Sequence, residues 1–330
     1  MSRKVCSTAL VVGFVAGLGA CGGEQVTIGL TEPIRIAGAQ FREGELPGER
    51  PPTEDEINEG AEPKLPFVFS PTFSTPIIHS REAGRGFSGL ASPGSGAIGV
   101  RLEGLGTGYW LLPTGGVDPE ADNAVEWRFR ASFGEGLPTG LRQILFTAFG
   151  KDGEAGTKIG LTLCVLPEIP DNNNACDPTQ DPPHTVVSLA WDAPVDLDLR
   201  VVTPDGKVVT PKHPSTAEEN EDGEVDPTAE GVGNLDFDSF ANCTDTGRQR
   251  ENLVFQTKPP RGTYLVYAGL FDACGEHGVG YSVSIHNTAA RQDGEGREPV
   301  ETYRQAGQLS AVHADGGTKL GTFVTSFLVK

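Results

Sequence analysis

Cations are scarce in this chain of 330 residues: 26 Lys and Arg stand against 45 Asp and Glu, a formal charge of −19. A surface of that sign repels nucleic acid and anionic lipid headgroups, so no nucleic-acid partner is expected. A single methionine and 7% aromatic residues, beside 44 glycines and 25 prolines, argue for many turns and against long helices. Beyond the first twenty residues no apolar run is long enough to cross a bilayer as a helix. Catalytic signatures are missing too. There is no H-E-x-x-H, no G-x-S-x-G and no Walker loop, and Gly86-Phe87-Ser88-Gly89-Leu90 falls one residue short of a nucleophile elbow. The six histidines are scattered, and no C-x-x-C or paired His offers a thiol- or imidazole-based metal site. The expectation is a protein that is not an enzyme.

The amino terminus is the clearest positive signal. Arg3 and Lys4 precede an apolar run from Val5 to Val15, and Leu18-Gly19-Ala20-Cys21 follows. A charged start, a short apolar core and small residues at the cut site make an export signal. The tetrad resembles the bacterial lipobox, which implies cleavage after residue 20 and acylation of Cys21. Several acyl chains, at about 0.8 kcal/mol per buried CH2, give lasting membrane attachment where one chain gives only reversible binding. Gly22 in place of Asp resembles lipoproteins passed on to the outer membrane. Loss of residues 1–20 removes Arg3 and Lys4 and no acid, taking the formal charge to −21.

With Cys6 in the signal and Cys21 acylated, Cys164, Cys176, Cys243 and Cys274 remain, an even number in an exported chain. Pairing within each predicted domain joins Cys164 to Cys176 and Cys243 to Cys274. Closing the shorter loop stabilises by about 3 kcal/mol in the chain-entropy model. The fold class is all-β, with two β-sandwich domains of Ig-like or jelly-roll-like type. Residues 21–66 carry the acylated end, strands at Val26–Ile28 and Ile34–Ile36, and a Pro-, Gly- and Glu-rich tether from Glu43 to Pro66. Residues 67–166 alternate as a first sandwich, with a hairpin turn at Lys151-Asp152-Gly153; Leu141–Phe149 fits a strand or a short helix. Residues 167–183 are an aperiodic linker, and residues 184–330 form the second sandwich. There Pro204-Asp205-Gly206 fits a type I turn, and the acidic stretch from Lys212 to Gly233 reads as a long loop. Tyr109, Trp110 and Trp127 suit either a sandwich core or a sugar-stacking platform.

One constellation carries chemistry. In Val195-Asp196-Leu197-Asp198-Leu199-Arg200-Val201 the apolar residues occupy one strand face and both aspartates the other, roughly 7 Å apart. Leu235-Asp236-Phe237-Asp238 repeats the pattern. If the two strands are neighbours, four carboxylates share one surface, repel one another, and call for a cation such as calcium, which takes six to eight oxygens. Asp245 and Glu251, with Asn242 or Asn252, would complete the shell. The equal alternative is an ordinary solvated strand face, although Asp is disfavoured in strands.

The run from Trp191 to Gly206, then Asn234-Leu235-Asp236-Phe237-Asp238, Glu251-Asn252-Leu253 and Pro260-Arg261-Gly262-Thr263-Tyr264, resembles the YfaP-like bacterial domain of uncharacterised function. The resemblance covers about Thr185 to Asn287. It implies an exported β-sandwich of the bacterial envelope and no established activity. Where many members carry His after D-L-D-L this chain has Arg200. Together these readings describe a lipid-anchored envelope protein. Its second domain is a calcium-dependent glycan- or protein-binding module, or else a purely structural subunit. A hydrolase using two of the carboxylates is the least favoured reading.

Overall fold

The structure, a computed structural model, describes residues 29–218, 226–291 and 296–330. The export signal, Cys21 and the strand expected at Val26–Ile28 lie outside the described residues. The first half contains β1 (Ile34–Ile36), β2 (Gln40–Glu43), β3 (Val68–Phe73), β4 (Ile77–His79), β5 (Arg85–Ala91), β6 (Ser95–Leu102), β7 (Gly108–Pro113), β8 (Val117–Asp118), β9 (Ala124–Phe133), β10 (Gly140–Gly150) and β11 (Ala155–Leu166). One sheet runs β1-β9-β5-β3, with β8 also on β9, and the other runs β2-β7-β6-β10-β11-β4. Pairing is antiparallel except for β4 on β11. Alternation drives the assembly: Trp127, Phe129 and Ala131 of β9 point inward against Ile144 and Phe146 of β10 and Val100 of β6, making one core between two sheets. Trp127 is therefore a core residue. Trp110 donates from Nε1 to the Ile34 carbonyl at 2.6 Å, and Tyr109 stacks on Phe149.

The second half contains β12 (Thr185–Trp191), β13 (Asp196–Val202), β14 (Val208–Val209), β15 (Gly233–Leu235), β16 (Arg250–Phe255), β17 (Gly262–Asp272), β18 (Gly278–Ala290), β19 (Arg297–Ser310) and β20 (Thr322–Val329). Its sheets run β15-β16-β12-β18-β19 and β14-β13-β17-β20. Val187, Leu189, Leu253 and Phe255 of the first meet Leu197, Leu199, Tyr264 and Val266 of the second in a separate core. The chain is thus all-β, in two sandwiches. Residues 204–206 make the expected turn between β13 and β14, with the Gly206 N–H donating to Thr203 and a φ of +89° that Gly alone adopts freely.

Three features differ from expectation. Leu141–Phe149 lies inside strand β10, paired with β11 and, from Ile144 on, also with β6, so the helical option falls away. Strand β1 belongs to the first sandwich through β9. The stretch from Glu43 to Pro66 is not a free tether. Leu46, only 2% exposed, is buried there, Glu49 bridges to Thr157, and Lys64 exchanges hydrogen bonds with Thr157. A capping box between Thr53 and Glu56 starts a helical turn over Glu54–Asn58. One apolar anchor and a few backbone hydrogen bonds suffice to lay a polar segment along a sheet edge.

Both cystine bridges form as paired above, Cys164 with Cys176 and Cys243 with Cys274.

Candidate metal centre

Strand β13 sends Leu197, Leu199 and Val201 into the core and Asp196, Asp198 and Arg200 to the opposite face. That face is buried rather than solvated. Residues 208–212, 238–242 and 317–320 surround it and leave a cleft of about 420 Å3. Asp238 enters from the turn after β15, where Phe240, Asn242 and Cys243 all hold left-handed φ values of 60°, 52° and 59°. The Cys243–Cys274 bridge ties this turn to the end of β17, and the Asn242 N–H donates to Asp196 Oδ2 at 2.7 Å.

One carboxylate oxygen from each of Asp196, Asp198 and Asp238 lies within 4.8 Å of the others. Calcium–oxygen bonds of roughly 2.3–2.6 Å put ligands on opposite sides of an ion about 5 Å apart, so the set fits one calcium. Three such protein ligands would leave three or more positions of a calcium ion to be filled from the cleft. Desolvation pushes the Asp196 carboxyl up to about 6, and Asp198, Asp238 and Asp272 push in the same direction. Burial also raises Asp198 and Asp238, against the opposing pull of Arg200 on Asp198. Each shift says that the negative form lacks compensation.

Arg200 supplies part of it. Its guanidinium, 3% exposed, donates to Asp198 Oδ2 at 2.7 Å and to the Lys319 carbonyl, and lies 4.0 Å from Asp315. Gly269 makes the room: a Cβ there would stand 2.5 Å from the guanidinium carbon. The role of Arg200 was not legible in the sequence, because Asp315 and Lys319 are more than a hundred residues away. Lys212, at the cleft rim, lies 5.7 Å from the centre of the Phe271 ring.

Three expected ligands fall elsewhere. β15 ends at Leu235, so Asp236 and Asp238 are not alternate residues of one strand and do not share a face. Asp236 turns away and accepts the N–H and Nδ2 of Asn252, both at 2.9 Å. Asp245 is exposed and accepts from the Gly247 N–H at 2.8 Å. Glu251 is fully buried, with both oxygens occupied: Oε2 accepts from Leu199 N–H at 2.7 Å and Oε1 from Ser239 N–H at 3.1 Å. Burial raises its carboxyl well above the usual range, helped by Asp198 and Asp238. Glu251 positions the two arms of the cluster and is not a ligand. Asn242 contributes through its backbone. Cys243, Asp272 and Cys274 also lie close together, but the disulfide consumes both sulfurs.

No protein-family model matches the chain, and no curated protein matches it. Solved structures with some likeness include the major pilin subunit BcpA of Bacillus cereus, at 10% identity over 74% of this chain and 67% of that one, TM-score 0.20. The fibronectin(III)-like modules of CbhA from Clostridium thermocellum match at 10% over 76% and 97%, TM-score 0.17. The C-terminal domain of the AgI/II polypeptide BspA from Streptococcus agalactiae matches at 9% over 73% and 98%, TM-score 0.22. The sandwich architecture rests on the strand pairing itself and not on these likenesses.

Proposed function

We propose that this is a lipid-anchored protein of the bacterial envelope, without catalytic activity, whose second sandwich binds calcium through Asp196, Asp198 and Asp238. The open coordination positions of the ion then serve a glycan or protein partner. The observation that carries this reading is the convergence of three carboxylate oxygens within 4.8 Å at a cleft of about 420 Å3. Among the described residues no histidine lines that cleft, and Arg200 occupies one oxygen of Asp198, which disfavours acid–base work by that carboxylate. A second reading is a purely structural envelope lipoprotein, in which Arg200 is the built-in counter-charge. The Asp198–Arg200 bond favours it.

Thermal unfolding of the lipid-free chain in calcium and in chelator separates the two. An ion bound only by the native state adds about 2.7 kcal/mol at a hundredfold excess over Kd, roughly 5–10 °C for a domain of this size. The calcium-binding reading expects such a rise, and its loss in Asp196→Asn/Asp198→Asn. The sign of the pH dependence adds a second arm. Asp196 has a folded pKa raised to about 6 above a usual 3.8, so its contribution to stability is present at low pH and is lost as pH rises through 6. In chelator, the destabilisation between pH 5 and pH 7.5 is therefore larger in the wild type than in Asp196→Asn, and calcium abolishes that difference. Identical melting with and without calcium would leave the structural reading.

The anchor is tested separately. Labelled palmitate enters the wild-type protein in cells and not Cys21→Ser, which accumulates uncleaved or soluble; equal labelling of both removes lipidation at this site.

A further inference from the structure

A larger cleft, of about 630 Å3, lies where the two sandwiches meet, between the His79–Arg81 turn, the linker from Leu166 to Asn173 and the outer face of β16. That volume is within the roughly 300–1,000 Å3 of small-molecule sites. Most of its charged groups already hold protein partners. Arg250 spans the sandwiches to Glu168 at 2.6 Å and also donates to Ser188, while Arg248 donates to Nε2 of His79 at 2.7 Å. Burial and Arg248 both push the His79 pKa down, so its ring stays neutral and able to accept. Arg81 pairs with Glu135, and Asp236 is held by Asn252. Three Arg and three acids, Glu168, Asp171 and Asp236, line the cleft, so the lining itself carries no excess of positive charge to draw an anion.

What is left over is neutral and polar. Leu253 and Phe255 are core residues, so alternation turns Asn252, Val254 and Gln256 toward the cleft. Asn252 is 4% exposed; its Nδ2 is committed to Asp236, and its Oδ1 is buried with no partner among the described residues. A buried acceptor without a partner costs about 1–3 kcal/mol, and a ligand hydroxyl would relieve it. The Nε1 of Trp191, a core residue that also borders the cleft, is a donor without a partner among the described residues. The amides of Gln249 and Gln256 make no side-chain hydrogen bond among the described residues. Leu166, Pro167 and Val254 add apolar surface beside them.

We infer that this cleft binds a neutral saccharide, independently of calcium. Side-chain amides offer a donor and an acceptor in one plane, which suits vicinal hydroxyls, and the apolar patches suit the C–H face of a sugar ring. An anion is disfavoured by the balanced charge. Among the described residues β12 and β15 both pair with β16, so an added peptide strand does not dock on β16 where Leu253–Phe255 are covered.

The test is calorimetry and tryptophan fluorescence on the whole chain in chelator, with maltotriose, cellotriose, chitotriose, a trigalacturonate and triglycine as probes. Saturable binding of at least one neutral trisaccharide is expected, weakened about tenfold or more by Gln249→Ala/Gln256→Ala and by Asn252→Leu. The two glutamines are at least partly exposed and their amides hold no structural bond, so that variant keeps the wild-type circular dichroism and melting. The inference is overturned by absence of neutral binding up to about 10 mM, by trigalacturonate or triglycine binding as well as any neutral sugar, or by unchanged affinity in the glutamine variant. Because chelator is present throughout, failure here leaves the calcium reading untouched, and the reverse also holds.

Discussion

Glu251→Ala is expected to destabilise the second sandwich by about 3–5 kcal/mol, enough to unfold it at temperatures the wild type tolerates. Leu199 has β17 on one side, but among the described residues β14 reaches only Val201 and Val202 on the other, so that edge of β13 has no strand at Leu199. The Glu251 carboxylate takes that place for the Leu199 N–H, and its other oxygen holds the Ser239 N–H on the turn that carries Asp238. Truncation leaves two buried backbone donors unsatisfied, at about 1–3 kcal/mol each, and opens a cavity in a site with no exposure. Glu251→Gln keeps the volume and one acceptor, and should lose less, about 1–3 kcal/mol. Urea titrations followed by circular dichroism decide the point: a cost below about 1 kcal/mol for the alanine variant would show that Glu251 is not the clamp. Under semi-permissive conditions Glu251→Ala should also lose the response to calcium, although the residue touches no ion, because both arms of the cluster hang from it.

That distinction marks where the sequence was legible and where it was not. Strands with strong alternation, such as Ala124–Phe133 and Asp196–Val202, declare themselves because apolar residues recur at a period of two along one face. Strand β19 does not: Arg297–Ser310 is polar and exposed along most of its length, and exists because β18 offers it a ladder of backbone partners. The strands between Val68 and Ala91 escape for a related reason, since Ser, Pro and Gly interrupt their pattern. In the acidic site, the pairing of Asp196 with Asp198 follows from a period of two, but the fate of Asp236 and Glu251 depended on where β15 ends and which backbone groups lack strands. Such facts belong to tertiary structure. The burial of the outer face of β13 belongs there too, because the covering residues near 240 and 318 come from distant parts of the chain.

Arg200 is the residue on which the two readings of the acidic cleft diverge most. Arg200→Met preserves most of the stem packing and removes the charge, leaving Asp198 buried against Asp196 and Asp238 with its nearest cation gone. Breaking a buried pair from one side typically costs about 3–5 kcal/mol, and the Lys319 carbonyl loses its donor as well. In chelator, then, Arg200→Met should melt well below the wild type, with the segment near Asp315–Lys319 loosened in hydrogen exchange. Calcium should recover most of that loss, so that the variant shows a larger calcium-induced rise than the wild type. Arg200→Lys, which keeps a charge but not the planar fork, should fall between the two in chelator. A guanidinium that merely neutralises a structural aspartate predicts the same fall and no recovery. If calcium binds but rescues nothing, the ion sits elsewhere. If Arg200→Met melts like the wild type in chelator, the buried ion pair is not what holds the cleft together. Rescue that disappears when Asp238→Asn is added would make the three carboxylates the ion's ligands and Arg200 its partial substitute in the metal-free protein.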